Sequence, residues 1–332
     1  MAVKVFQMDP SPDQEFGFER EAIARAGGEL IVGSAQTEDD VLEQGADAEI
    51  IWVSWLPLLT RRVLEQLPNA RLLMRWGVGY DQIPVKIATE LGIAVANAPA
   101  YGTDDVAEHA IALLVSTARQ VPWYHNQMAG GGWGLQLERP IHRMKGRTLG
   151  VIGVGRIGGA AARRGVGLGM RVLGYDKYRP ADELREMGVE PVGLQELLAE
   201  SDYVTIHTPL NDETRGLIGE GELAKLKPEV ILVNTSRGPV IDQAALIDVM
   251  RNRRIAAAAL DVFEYEPLDA QHELRNMDNV IVTPHMAGYS VEAMADLRAD
   301  MCNTVAEWIR DSWSGRVLNP EVRDHLRPRR SN

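Results

Sequence analysis

The stretch Leu149-Gly150-Val151-Ile152-Gly153-Val154-Gly155-Arg156-Ile157-Gly158 decides the fold. A short apolar strand runs straight into G-x-G-x-x-G, and an alanine-rich segment of helical character follows; this is the context in which the glycine triplet receives a dinucleotide. Gly153 permits the tight turn, Gly155 lets the backbone approach a pyrophosphate, and Gly158 lets helix and strand pack closely. Arg156 and Ile157 open the helix, whose unpaired N–H groups and dipole favour an anion. Glycines recur in ordinary turns, so the triplet alone is weak. The next strand, however, ends at Asp176, roughly 20 residues on, where an acid accepts from the adenosine ribose hydroxyls and repels a 2′-phosphate. Together they read as an NAD site, with some NADP use left open by Lys177 and Arg179.

Outward from this stretch the alternation is regular. Leu149 to Ile152, Arg171 to Tyr175, Tyr203 to His207, Val230 to Asn234, Ala257 to Asp261 and Val280 to Thr283 read as the six strands of a doubly wound parallel sheet. Upstream, Val3 to Phe6, Ile50 to Val53, Leu72 to Arg75 and Ala94 to Ala96 alternate with amphipathic stretches such as Phe18 to Ala26, predicting a second α/β unit. Thr103 to Arg119 and Val291 to Arg310 have helical period. Val121 to Arg143, with Trp123, Tyr124, Gly130-Gly131-Gly132 and Trp133, reads as an irregular arm that packs either on a second subunit or on its own domain.

At 332 residues the chain exceeds what one core usually serves, so two domains are expected. No segment is long and apolar enough to cross a bilayer, and the N-terminus lacks the features of a secretory signal, which predicts a cytoplasmic protein. The single cysteine, Cys302, excludes an internal disulfide, and no metal-ligand spacing is present, so no metal is expected. A net charge of -12 argues against nucleic acid or an anionic membrane as partner. An anionic substrate must therefore be met by locally placed arginine.

Ligands of an open α/β sheet lie beyond the carboxyl ends of its strands. Arg237, Glu266 and His285 each follow such an end. A guanidinium matches a carboxylate and can polarise an adjacent keto oxygen. An imidazole exchanges the proton on that oxygen, and a carboxylate bonded to the imidazole orients it and favours its protonated form. Arginine, acid and histidine thus form a complete catalytic set for reducing a 2-keto acid with a hydride donor opposite. His207, beside Thr208 and Pro209 at the cofactor edge of the sheet, reads as lining the nucleotide site. His109 lies on a helix and is given no role.

Five blocks go further: Gly77-Val78-Gly79-Tyr80-Asp81, the segment Thr148 to Asp176, Val233 to Asp242 around Arg237, Ala259-Leu260-Asp261-Val262-Phe263-Glu264-Tyr265-Glu266-Pro267, and Thr283-Pro284-His285-Met286-Ala287-Gly288. They resemble, over about Leu72 to Pro320, the D-isomer-specific 2-hydroxyacid dehydrogenases, and among these the bacterial proteins similar to C-terminal-binding protein. The resemblance implies two Rossmann-like domains, with an NAD-binding domain at 101–288 inserted in a discontinuous substrate domain, 1–100 and 289–332. It implies that the backbone around Gly77, Val78 and Gly79 receives the substrate carboxylate, that Asp261 contacts the nicotinamide amide and that Glu266 pairs with His285. Thr214, Thr235, His285 and Gly288 are counted with the cofactor residues. A homodimer is expected. Gly288 stands where C-terminal-binding proteins typically have tryptophan, so their substrate preference need not carry over. Glutamine in place of Glu266 would mark a formate dehydrogenase, and lysine in place of Val78 a phosphite dehydrogenase. Trp55 and Tyr101 either wall a substrate pocket or simply pack.

The predicted function is an NAD-dependent D-2-hydroxyacid dehydrogenase acting on a small 2-keto acid, with His285 as acid and base. The alternative is a non-catalytic NAD(H)-sensing interaction protein. The chain shows no appended low-complexity segment for partners, which favours the enzyme.

Overall fold

A computed structural model describes residues 2–135 and 139–329. In chain order the elements are β1 (Val3–Gln7), α1 (Gly17–Arg25), β2 (Gly28–Val32), α2 (Glu38–Gln44), β3 (Ile50–Val53), α3 (Arg61–Gln66), β4 (Leu72–Arg75), α4 (Val85–Glu90) and β5 (Ala94–Ala96). Then follow α5 (Thr103–Ala118), α6 (Val121–Ala129), β6 (Thr148–Ile152), α7 (Arg156–Gly167), β7 (Arg171–Tyr175), α8 (Ala181–Glu186), β8 (Glu190–Pro191) and α9 (Leu194–Glu200). The series closes with β9 (Tyr203–Ile206), α10 (Glu220–Leu223), β10 (Ile231–Asn234), α11 (Gln243–Arg251), β11 (Ala257–Leu260), β12 (Val280–Val282) and α12 (Val291–Ile309). The chain divides into two compact units, residues 1–101 with 290–332, and residues 102–289.

The first unit carries a parallel sheet of order β2-β1-β3-β4-β5. Strands β3 and β4 are buried along their whole length, as central parallel strands are when helices cover both faces. Helix α12, from the far end of the chain, belongs to this unit and packs on α1. Its Arg298 meets Glu19 of α1, whose side chain is fully buried, with Nη2 to Oε2 at 2.8 Å.

The second unit is a seven-stranded parallel sheet, β12-β11-β10-β9-β6-β7-β8, whose order reverses between β6 and β9. That reversal opens a crevice beyond the carboxyl ends of these two strands. Ala160 and Ala161 of α7 are fully buried and cluster with Ala107 of α5, and these small side chains let the two helices pack closely.

Three elements depart from the sequence reading. β2 and β8 were not expected: both are edge strands, which face solvent on one side and so carry a weaker apolar signal. The segment expected to be an irregular arm starts as a helix, α6. Gln120 adopts a left-handed conformation that ends the run of α5, and Pro122 in the first turn restarts it. Residues 136–138 of that arm lie outside the described residues. Among the described residues no helix is long and apolar enough to cross a membrane.

Removing Arg298 strands a buried carboxylate, so Arg298→Ala is expected to cost about 3 kcal/mol. Urea unfolding checks this, and an unchanged midpoint would show that Glu19 is not held by the pair.

Candidate active site

The glycine turn of the second unit explains its own composition. Gly153 has φ of +85°, and a Cβ there would lie 2.9 Å from the backbone of His207 and Thr208. At Gly158 a Cβ would come within 1.9 Å of the Gly153 carbonyl oxygen. Gly155 is different: no atom lies within 4 Å of where its Cβ would be. It caps α7 without a side-chain bond, and the first turn holds no acidic residue, so the helix N-terminus keeps open donors for an anion.

Asp176 follows β7. Its Oδ2 accepts from Val154 N (2.8 Å), and its Oδ1 accepts from Tyr178 N (2.9 Å) and Arg179 N (3.0 Å), which holds the carboxylate against the glycine turn. Lys177 is engaged by Glu213 at 2.7 Å. Arg179 is bound to Glu183 at 2.9 Å and to the Val154 carbonyl at 2.6 Å. Both cations near the acid therefore have partners.

Across the turn, at the ends of β9 and β10, three buried polar atoms have no hydrogen-bond partner among the described residues: His207 Nδ1, Thr208 Oγ1 and Thr235 Oγ1. Buried polar groups are nearly always satisfied, so three orphans beside an open glycine turn fit a polar ligand laid across the strand ends. The donor set suits a dinucleotide. Burial lowers the His207 imidazole from 6.5 to about 4, so the ring is neutral near pH 7 and bonds Thr205 Oγ1 through Nε2 at 3.0 Å. Pro209 is exposed, and Thr214 closes the following turn by donating to the Pro209 carbonyl at 2.6 Å. Gly288 lies against Gly102 ahead of α5.

Glu266 and His285 meet directly, Oε2 to Nδ1 at 2.6 Å, and each side chain is about one-third exposed. Burial pushes the Glu266 carboxyl up. The His285 hydrogen bond and charge, the Phe263 N–H and the Arg237 charge outweigh it, and the net value lies below the ordinary carboxylate range. Glu266 Oε1 accepts from Phe263 N at 2.8 Å, so the carboxylate is aimed by its own loop.

Arg237 follows β10 in a turn built by Asn234. That amide donates to the Arg237 carbonyl (2.9 Å) and accepts from Ser236 N (3.0 Å) and Ser236 Oγ (2.8 Å). A Cβ on Gly238 would lie 1.9 Å from the Phe263 carbonyl carbon, so only glycine lets the arginine turn press onto the loop that carries Glu266. The sequence reading included Asn234 and Gly238 in the arginine segment and gave neither a role of its own. An Asn three residues before the arginine and a glycine directly after it were the available signals.

Asp261 is fully buried and grips the histidine loop. Oδ1 accepts from Thr283 Oγ1 (2.6 Å) and Met286 N (3.0 Å), Oδ2 accepts from Ala287 N (2.9 Å), and the Asp261 carbonyl accepts from His285 N (2.8 Å).

Of the residues expected to meet substrate, Arg237 lies in the second unit, and Gly77, Val78, Gly79, Trp55 and Tyr101 lie in the first. Gly77 has φ of +132°, and the N–H groups of Val78 and Gly79 make no hydrogen bond to other described residues. Trp55 is half exposed, the Arg75 guanidinium sits 5.8 Å from its ring centroid, and Tyr101 Oη lies 3.6 Å from a Cβ position on Gly77. Arg75 was not singled out from sequence because it reads as the last residue of a strand. Asp9 was also missed. Its carboxyl is pushed up by burial, against the pull of the Leu56, Trp55 and Ser54 N–H groups it accepts from and of the Arg75 charge.

Residues 111–287 match the family described as D-isomer specific 2-hydroxyacid dehydrogenase, NAD binding domain. The chain is similar to a glyoxylate reductase of Korarchaeum cryptofilum, 39% identical over 285 residues, 85% of this chain and 86% of the relative. It is also similar to a D-3-phosphoglycerate dehydrogenase of Archaeoglobus fulgidus, 36% identical over 295 residues, 89% of this chain and 55% of that longer one. Among solved structures it resembles a D-lactate dehydrogenase of Aquifex aeolicus complexed with NAD and lactic acid, with TM-score 0.85 and 29% identity, covering 95% of this chain and 98% of the other.

The glycines separate packing from ligand binding. Gly155→Ala meets open space, so stability should hold within about 0.5 kcal/mol while NADH binding weakens. Gly238→Ala should instead lower the melting temperature. Fluorescence titration and thermal unfolding check both, and unaltered NADH affinity in Gly155→Ala would remove that turn from the diphosphate.

Proposed function

The chain belongs to the D-isomer specific 2-hydroxyacid dehydrogenase family, and from that premise we propose that it interconverts a small 2-keto acid and its D-2-hydroxy acid with NAD. The observation that carries this reading is the 2.6 Å contact between His285 Nδ1 and Glu266 Oε2, with the Arg237 charge acting on the same carboxylate.

An ionised carboxylate only accepts, so Glu266 commits the Nδ1 proton of His285. Nε2 is then the atom that gives a proton to the keto oxygen in reduction and takes it from the hydroxyl in oxidation. Arg237 offers its planar fork to the substrate carboxylate. In the first unit, the N–H groups of Val78 and Gly79 are assigned to a carboxylate oxygen. Gly153, Gly155, Gly158 and the start of α7 would hold the cofactor diphosphate, Asp176 the adenosine ribose, and His207, Thr208 and Thr235 the polar groups that follow. When bound, the nicotinamide supplies or accepts the hydride. The names of two relatives, a glyoxylate reductase and a D-lactate dehydrogenase, support a short keto acid as substrate.

A panel of 2-keto acids with NADH tests the reading, with turnover of at least one above background as the expected result and none as its rejection. Arg237→Ala should lower kcat/KM by about 100-fold or more and leave NADH affinity nearly intact; normal turnover would take Arg237 out of the site. Asp176→Ala should raise NADPH use relative to NADH, and adding Glu213→Gln, which releases Lys177, should raise it further. A constant cofactor ratio in both variants would exclude Asp176 from the ribose role.

A further inference from the structure

His109, on α5, has no part in the chemistry described so far, yet its ring reaches the support of the proposed acid–base residue. Its Nε2 lies 3.1 Å from Thr283 Oγ1 and 3.6 Å from Asp261 Oδ1. Thr283 Oγ1 is in turn 2.6 Å from Asp261 Oδ1, which also accepts from Met286 N at 3.0 Å, while Oδ2 accepts from Ala287 N at 2.9 Å. These contacts flank His285, which has φ of +51°. A non-glycine residue in the left-handed region persists where its neighbours over-determine the backbone. Here the Asp261 side chain grips the two residues after His285, and its carbonyl accepts the His285 N–H at 2.8 Å.

The proton inventory gives this chain a direction. A threonine hydroxyl has one proton, and the Thr283 proton goes to Asp261 Oδ1, which already faces another donor. Thr283 Oγ1 must then accept from His109, so His109 carries its proton on Nε2. The order is His109 Nε2–H to Thr283 Oγ–H to the Asp261 carboxylate, and from there to the loop that aims His285 at Glu266.

We infer that His109 is a positioning residue for the proton transfer at His285, acting through the Thr283 hydroxyl and the Asp261 carboxylate. This rests on the reading of His285 as acid and base. Its effect is geometric: losing the anchor lets the strained loop relax, and a displacement of about 1 Å costs on the order of 100-fold in rate. His109→Gln places an amide donor near the position of Nε2 and preserves the chain, whereas His109→Leu breaks it. Thr283→Ser and Thr283→Val make the same comparison one link along.

The test measures kcat and KM for the keto acid, NADH affinity by fluorescence, and the downfield Nδ1 proton resonance of 15N-labelled His285. His109→Leu is expected to lower kcat about tenfold or more with KM and NADH affinity within about twofold, and to broaden or shift the Nδ1 resonance. His109→Gln is expected to restore both, and Thr283→Ser should exceed Thr283→Val in the same way. Equal losses in His109→Leu and His109→Gln, or an unmoved resonance in His109→Leu, overturn the inference. Should His109→Leu fail to fold, the Thr283 pair decides it by the same readouts. His285→Gln is the control: normal turnover there rejects the acid–base reading itself, whereas a large loss there with an unaffected His109→Leu rejects only the positioning role.

Discussion

Burying a carboxylate is costly unless donors surround it, and at Asp261 every donor comes from outside its own strand. The Asp261 side chain is shut away from solvent at the end of β11 and is satisfied by Thr283, Met286 and Ala287. That requirement ties the end of β11 to the loop after β12, and the loop is left with a single way to run. His285 accepts a left-handed backbone as a consequence. The Glu266–His285 contact is therefore the visible end of a constraint that begins in the sheet.

The cofactor edge obeys a second constraint, the close approach of backbones. Three glycines let the first strand of the nucleotide unit turn sharply, touch its helix and still leave one open face. Gly238 does the same for the arginine turn, pressing it onto the Phe263–Glu264 backbone. Charge then acts over short range. Glu266 stays an acceptor because the His285 bond and charge, the Phe263 N–H and the Arg237 charge outweigh its burial, and an accepting carboxylate commits the proton on His285 Nδ1.

Much of this was legible before any coordinates. The glycine triplet, the acid ending the next strand and the order arginine, glutamate, histidine are local signals at strand ends, and strand ends are where an open sheet binds its ligands. Edge strands were less legible. β2 and β8 face solvent on one side, and the apolar run that betrays a central strand is weaker there. The helix α6 was hidden because its aromatic and polar residues have no clean period, although Pro122 marks its start.

By itself the sequence determined the architecture, the glycine turn between β6 and α7 and the placement of Arg237, Glu266 and His285 beyond strand ends, because each depends on periodicity or on the chemistry of neighbours in the chain. Only the tertiary structure decided which groups Asp261, Asn234, Gly238 and His109 meet. Their partners are chosen by the distance between backbones brought together in folding: Gly238 against Phe263, and His109 against Thr283 and Asp261. A hydrogen bond formed over such a separation leaves no trace in local pattern, since the same residues would satisfy water equally well in an unfolded chain.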